Sequence, residues 1–185
     1  MVPNYGPVIS RTETIVTPNS AGYTHVTTGA VTSVTFSDLA KYNANYWRLD
    51  FQVEMASAAA ILRLHLRPNA AATNCTSVAL MGVSTTSAAT ADPIAELQLA
   101  VEGDGDRIAY YGQTYLEADT GQRRRFNVAS AVYRGGAGPR TERAFHGEGF
   151  YNDTSTVISS LQVLADAASS IAIGSRFRLF AGYVR

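Results

Sequence analysis

Three histidines, one cysteine, one dense acidic run and one arginine triplet are the residues of this chain whose types and spacing could do chemistry. His25, His65 and His146 fall on separate stretches. No His-x-x-x-His, His-Glu-x-x-His or Cys-x-x-Cys spacing occurs, so zinc has no ligand set. Cys75 is the only cysteine, which rules out an internal disulfide and a four-thiolate metal site. The serines lack a Gly-x-Ser-x-Gly elbow. The nearest approach, Ile173-Gly174-Ser175-Arg176, has no second glycine and leads into a strand-like run. Neither a catalytic residue nor a cofactor is expected, and the chain reads as non-enzymatic.

Four further features bear on binding. Glu102-Gly103-Asp104-Gly105-Asp106 brings three carboxylates together, enough to wrap calcium, but it lacks the twelve-residue loop of an EF-hand. An acidic β-turn explains Asp104 and Asp106 equally well. The glycine-rich loop 135–140 has no Gly-Lys-Ser/Thr ending and precedes no helix, so it is no phosphate cradle. Arg123, Arg124 and Arg125 form the one basic cluster, with Arg134, Arg140 and Arg143 following. In a chain without net charge, such a patch suits docking against an acidic protein neighbour better than gripping nucleic acid. Tyr110, Tyr111, Tyr115, Tyr133, Phe150 and Tyr151 could stack on sugar rings or fill a subunit interface; strand packing is the plainer reading.

The elements that must position these residues are strands. In YWRLDFQVEM, residues 46–55, Trp47, Leu49, Phe51, Val53 and Met55 face one way and Arg48, Asp50, Gln52 and Glu54 the other, the period of a half-buried strand. In ILRLHLR, Leu62, Leu64 and Leu66 oppose Arg63, His65 and Arg67, which places His65 on a solvated face. Five small residues, 56–60, turn between these two strands. Further alternation marks Leu97, Leu99 and Val101; Phe126, Val128 and Val132; Val157, Leu161 and Val163; and Phe177, Leu179 and Tyr183. Weaker runs lie at 12–16, 24–28, 31–36, 78–83 and 107–111, for about nine to eleven strands. A single helical turn at 37–41, capped by Ser37 or Asp38, is the only helical signal. Many strands, short turns and no crossover helices predict an all-β antiparallel sandwich or barrel.

Composition narrows the classes. At 185 residues the chain suits about one domain, large enough to bury about 70% of its unfolded surface. Fifteen basic and fifteen acidic residues cancel, and only 16% of the chain is charged, which argues against binding nucleic acid or an anionic membrane through counterion release. No apolar run is long enough to span a bilayer, and the amino terminus MVPNYGPVIS lacks the features of a secretion signal. The sequons at Asn74 and Asn152 are therefore read as chance. At 46% hydrophobic and uncharged overall, the chain reads as a subunit that buries surface in an assembly. Residues 1–12, with Pro3 and Pro7, read as an extended arm, and 13–185 as the domain.

The carboxy-terminal stretch EGFYNDTSTVISSLQVLADAASSIAIGSRFRLFAGYVR resembles the closing segment of a jelly-roll module of tailed-bacteriophage virion proteins. There a strand of the form ITSLxLxA precedes a polar turn and FxxGSxFxLYG. Here VISSLQV and IAIGSRFRLFAG stand in those places, with Phe180-Ala181-Gly182 replacing Tyr-Gly. Residues 42–68 also look like the family's central pair of strands. The resemblance implies a jelly-roll β-sandwich without catalysis. It implies a virion structural protein assembled in the host bacterial cytoplasm, foremost a capsid cement or decoration protein on the outside of the head. Its partners would be the major capsid protein and one or two further copies of itself. The alternative is a tail- or head-fibre component that recognises a host receptor or glycan. Arg123, Arg124, Arg125, Arg140, Arg143, Tyr110, Tyr111 and Tyr133 are the expected contact residues.

Overall fold

A computed structural model describes residues 11–16, 24–25, 29–56, 61–71, 74–83, 86–94, 97–103, 108–134 and 141–184. The larger of its two sheets runs in the order β1 (Arg11–Ile15), β13 (Arg176–Val184), β4 (Tyr46–Glu54), β9 (Ile108–Glu117), β10 (Arg124–Arg134), β11 (Thr141–Tyr151), β6 (Cys75–Val83), β7 (Thr86–Ile94). A two-residue strand, β2 (Thr24–His25), also pairs with β13. The smaller sheet is β3 (Ser33–Phe36), β12 (Leu161–Ala165), β5 (Ile61–Pro68), β8 (Leu97–Gly103). Every pairing is antiparallel. The protein is all-β, with no α-helix among the described residues.

Period two explains how the sheets meet. On β4, Trp47, Leu49, Phe51 and Val53 are buried while Arg48, Asp50, Gln52 and Glu54 face out, half-exposed. The inward residues of β9, β10 and β11 (Tyr110, Leu116, Phe126, Val132, Phe145) join Leu64, Leu66, Leu97, Leu99 and Val163 of the smaller sheet in one core. Ser130 Oγ donates to the Leu99 carbonyl at 2.9 Å, a hydrogen bond that joins the two sheets.

The closing strand lies inside its sheet, between β4 on one side and β1 and β2 on the other. Gly174, at φ 93°, makes the sharp turn before it. Ser175, fully buried, accepts the Glu54 N–H at 3.0 Å and donates back to the Glu54 carbonyl at 3.3 Å. Phe177, Leu179 and Ala181 are fully buried, and Tyr183 is half-buried with its hydroxyl on the Tyr42 carbonyl.

Several boundaries depart from the sequence expectation. Residues 1–10 of the expected arm lie outside the described residues, whereas Arg11 and Thr12 already pair with Val184 and Tyr183 in β1. The helical turn is a 3-10 turn at Leu39–Tyr42, where Asp38 sits at φ 57° and gives no side-chain cap. Val157 belongs to no strand and is exposed, because β12 begins only at Leu161. β7 and β11 are strands that the alternation did not reveal. On β11 the inward positions are Phe145, Gly147, Gly149 and Tyr151, and the glycines hide the period. Gly149 has a packing reason, since a Cβ there would overlap the Thr76 carbonyl oxygen on β6.

Phe177→Ala is expected to cost about 3–5 kcal/mol in denaturant unfolding, because it leaves a cavity between fully packed strands. Val157→Ala, at an exposed position, should stay within about 0.5 kcal/mol. Equal midpoints for the two variants would contradict this core assignment.

Candidate functional site

The outward face of the large sheet carries the polar and aromatic side chains that β4, β9 and β10 do not bury. Its lower end is closed by the turn at 118–123, between β9 and β10. That turn is held from several sides. Ala118 N–H bonds to the Asn45 carbonyl at 2.8 Å, and Gly121, at φ 93°, donates its N–H to the Thr154 carbonyl at 2.7 Å. Arg124, buried completely, donates through Nε to the Asp119 carbonyl at 3.1 Å and through Nη2 to the Thr156 carbonyl at 2.6 Å. Its guanidinium lies 5.4 Å from the Tyr151 ring centroid, within cation–π range.

The loop that receives these bonds is itself ordered. Hydrogen bonds from the Thr156 and Ser155 N–H groups hold the Asp153 carboxyl well below the usual carboxylate range. Burial, with the Asp153 charge nearby, pushes the Tyr151 hydroxyl up. Asn69 reaches the next stretch of the loop, donating to the Val157 carbonyl and accepting from the Ser159 and Ser160 N–H groups.

Between this turn and the strand ends lies a groove of about 620 Å³, lined by Asn45, Tyr46, Tyr115, Glu117, Asp119, Gln122, Arg125, Asn127 and Val184. That is within the range of about 300–1,000 Å³ usual for small-molecule sites. The Tyr46 and Tyr115 rings stand 6.1 Å apart at 43°. Both are set by one polar chain across the sheet. Tyr46 Oη donates to Glu13, Glu13 pairs with Arg48, Arg48 with Asp50, Gln113 Nε2 donates to Asp50, and Tyr115 Oη to Gln113. The Tyr46 ring lies over Gly182, where a Cβ would overlap it. Glu117 accepts the Arg125 N–H at 2.9 Å, and Asp119 accepts from Asn45 Nδ2 at 3.1 Å. The Arg125 guanidinium and the Asn127 amide have no partner among the described residues.

The expected contact residues are separated by this geometry. Arg123 and Arg125 are exposed, the latter in the groove. Tyr111 is exposed, and its ring meets that of half-buried Tyr133 edge-on at 5.1 Å, toward the opposite end of the same face. Arg124 and Tyr110 are interior residues: period two turns each of them inward between outward neighbours. Arg140 and the Arg143 side chain lie outside the described residues, as do Asp104 and Asp106. Among the described residues no cluster of three or more His, Cys, Asp or Glu could hold a metal. Tyr115, one of the aromatic residues the sequence offers for stacking, lines the groove. Tyr46, Glu117, Asp119 and Asn127 were not singled out, although Tyr115, Glu117 and Asp119 alternate through the end of β9 into its turn.

His65 does share a face with Arg63 and Arg67, but Arg63 stays exposed there while His65 is buried. Asp166, just beyond β12, folds across it and sits 2.6 Å from Nε2, with Arg63 at 3.7 Å. Burial opposes the Asp166 carboxylate, but the hydrogen bond to His65 and the charges of His65, Arg63 and Arg67 outweigh it and hold the carboxyl below its usual range.

Comparison with known proteins brings no match: no protein-family model, no characterised sequence and no solved structure is significantly similar to this chain.

Arg124→Leu should lower stability by about 1–3 kcal/mol, since two partly buried hydrogen bonds from its guanidinium are lost. Arg124→Lys should fall between, one ammonium being unable to span both; a Leu variant as stable as wild type contradicts the clamp. Asp166 contributes stability above the ordinary carboxylate pKa of about 3.9, and this is lost as pH falls through its lower folded value. Asp166→Asn is therefore expected to unfold more readily at neutral pH and to lose less on acidification, as read from melting temperature against pH.

Proposed function

We propose that this is a non-enzymatic structural protein of a tailed-phage virion, a jelly-roll sandwich that binds the outside of the head as a cement or decoration subunit. The observation that carries the reading is the closing strand. The Gly174 turn, the backbone-bonded Ser175 and the apolar run behind it give a physical role to the Gly-Ser-x-Phe-x-Leu part of the motif on which the family resemblance rests.

Attachment runs through the amino-terminal arm. β1 is the last strand at its edge of the large sheet, with β13 as its only strand partner among the described residues. An arm leaving this rim can add main-chain pairing to the major capsid protein. Tyr111 and Tyr133, with the small side chains of Ala131 and Ala144 beside them, form a weakly charged surface suited to contact between copies in a dimer or trimer. The protein folds and assembles in the host cytoplasm and binds neither nucleic acid nor membrane. The groove favours a second reading, a head- or tail-fibre component that recognises a host receptor.

Labelling the protein in intact particles separates the two. Copies spread across the shell, with heads lacking the protein failing at lower temperature, are expected of cement. Copies confined to one vertex, with intact particles that fail to adsorb, point to the fibre. Deleting residues 1–10 should abolish shell binding without lowering the melting temperature.

A further inference from the structure

We propose that the groove beside the 118–123 turn is a binding site for an uncharged saccharide. This goes beyond attachment to the shell and does not depend on it. Three features of the lining select the ligand. Tyr46 and Tyr115 offer two ring faces 6.1 Å apart, surfaces on which the C–H face of a pyranose can lie. The carboxylates of Glu117 and Asp119 are each fixed by one hydrogen bond, from Arg125 N–H and from Asn45, which leaves a second oxygen on each to accept a hydroxyl proton. Arg125 and Asn127, from β10, supply donors to the same space. A hydroxyl both donates and accepts, so a polyol satisfies this mixed set.

Both signs of charge line the groove, so neither an acidic nor a cationic sugar is matched throughout it. An acidic sugar would bring its carboxylate against Glu117 and Asp119, and a cationic one would meet Arg125. The site is also prepared in advance. The polar chain from Glu13 to Tyr115 fixes both rings, and the Arg124 clamp fixes the wall that carries Asp119. Binding therefore has little side-chain ordering to offset. No bond in the ligand is broken in this proposal.

The test uses the full chain and ligand-observed NMR with maltotriose, cellotriose and tri-N-acetylchitotriose as neutral probes, trigalacturonate as the acidic probe and chitosan trimer as the cationic one. At least one neutral probe is expected to receive saturation transfer, with a Kd of about 1 mM or tighter. Tyr115→Ala should weaken that binding by about tenfold or more, and Tyr115→Phe should retain most of it. Asn127→Ala, at an exposed strand position, should weaken it without changing the melting temperature. Gly182→Ala should weaken it by displacing the Tyr46 ring. No transfer to any neutral probe, a preference for a charged probe, hydrolysis of the bound trisaccharide, or binding that survives both Tyr115→Ala and Asn127→Ala overturns the proposal. Shell binding, read separately from particle labelling, is unaffected by any of these outcomes.

Discussion

A guanidinium sealed inside the protein is the constraint on which the candidate site depends. Among the described residues no carboxylate pairs with Arg124, and removing such a charge from water is costly unless fixed dipoles replace the lost hydration. Two backbone carbonyls and the ring of Tyr151 do so for Nε, Nη2 and the guanidinium face, while Nη1 has no hydrogen-bond partner among the described residues. The consequence is topological. Asp119 and Thr156 belong to segments far apart in sequence, and one side chain makes them a single rim. Without it the 118–123 turn would be a hairpin tip held at Asn45 and through the Gly121 bond to Thr154.

The same economy governs the outward face of the large sheet. Side chains that alternation turns away from the core are ordered there by one another. Phe180, nearly buried although it faces outward, lies under Arg48, whose guanidinium is 3.8 Å from the ring centroid, with Arg178 at 5.9 Å. Glu13 then binds both Arg48 and Tyr46, so the first strand of the chain helps to set an aromatic ring of the groove. Exposed ion pairs of this kind add little stability one by one. Joined in a network that ends at two tyrosines, they restrict ring positions instead, which matters for recognition more than for folding.

The strands with large inward side chains were legible in the sequence because burial enforces the period. β4 and β13 carry Trp47, Leu49, Phe51, Phe177 and Leu179 at every second place. β11 was illegible for the opposite reason, since close approach to β6 requires glycine at an inward position and glycine carries no hydropathy signal. β7 offers mainly small residues, with Pro93 and one large apolar residue, Ile94, at its end. The site was harder still. An arginine triplet reads as one basic patch, yet in a strand its middle member must point the other way, so Arg124 became a structural clamp and Arg125 a groove residue. His65 misled because alternation fixes the face of a sheet but not what folds over that face; Asp166 comes from a different strand end.

If the proposed contact between copies and the proposed ligand site are both right, spacing along β9 ties one to the other. Tyr111 and Tyr115 point to the same side four residues apart, about 13 Å along a strand. A stable protein contact buries about 800 Å² on each partner, a patch roughly 28 Å across. Centred on Tyr111 and Tyr133, such a patch would reach the groove and close it. If copies meet on this face, an open groove therefore requires a contact displaced from the Tyr111 and Tyr133 pair, away from Tyr115. On the proposed reading, firm anchoring to a shell would then fall to the β1 edge, which lies at the rim of the sheet.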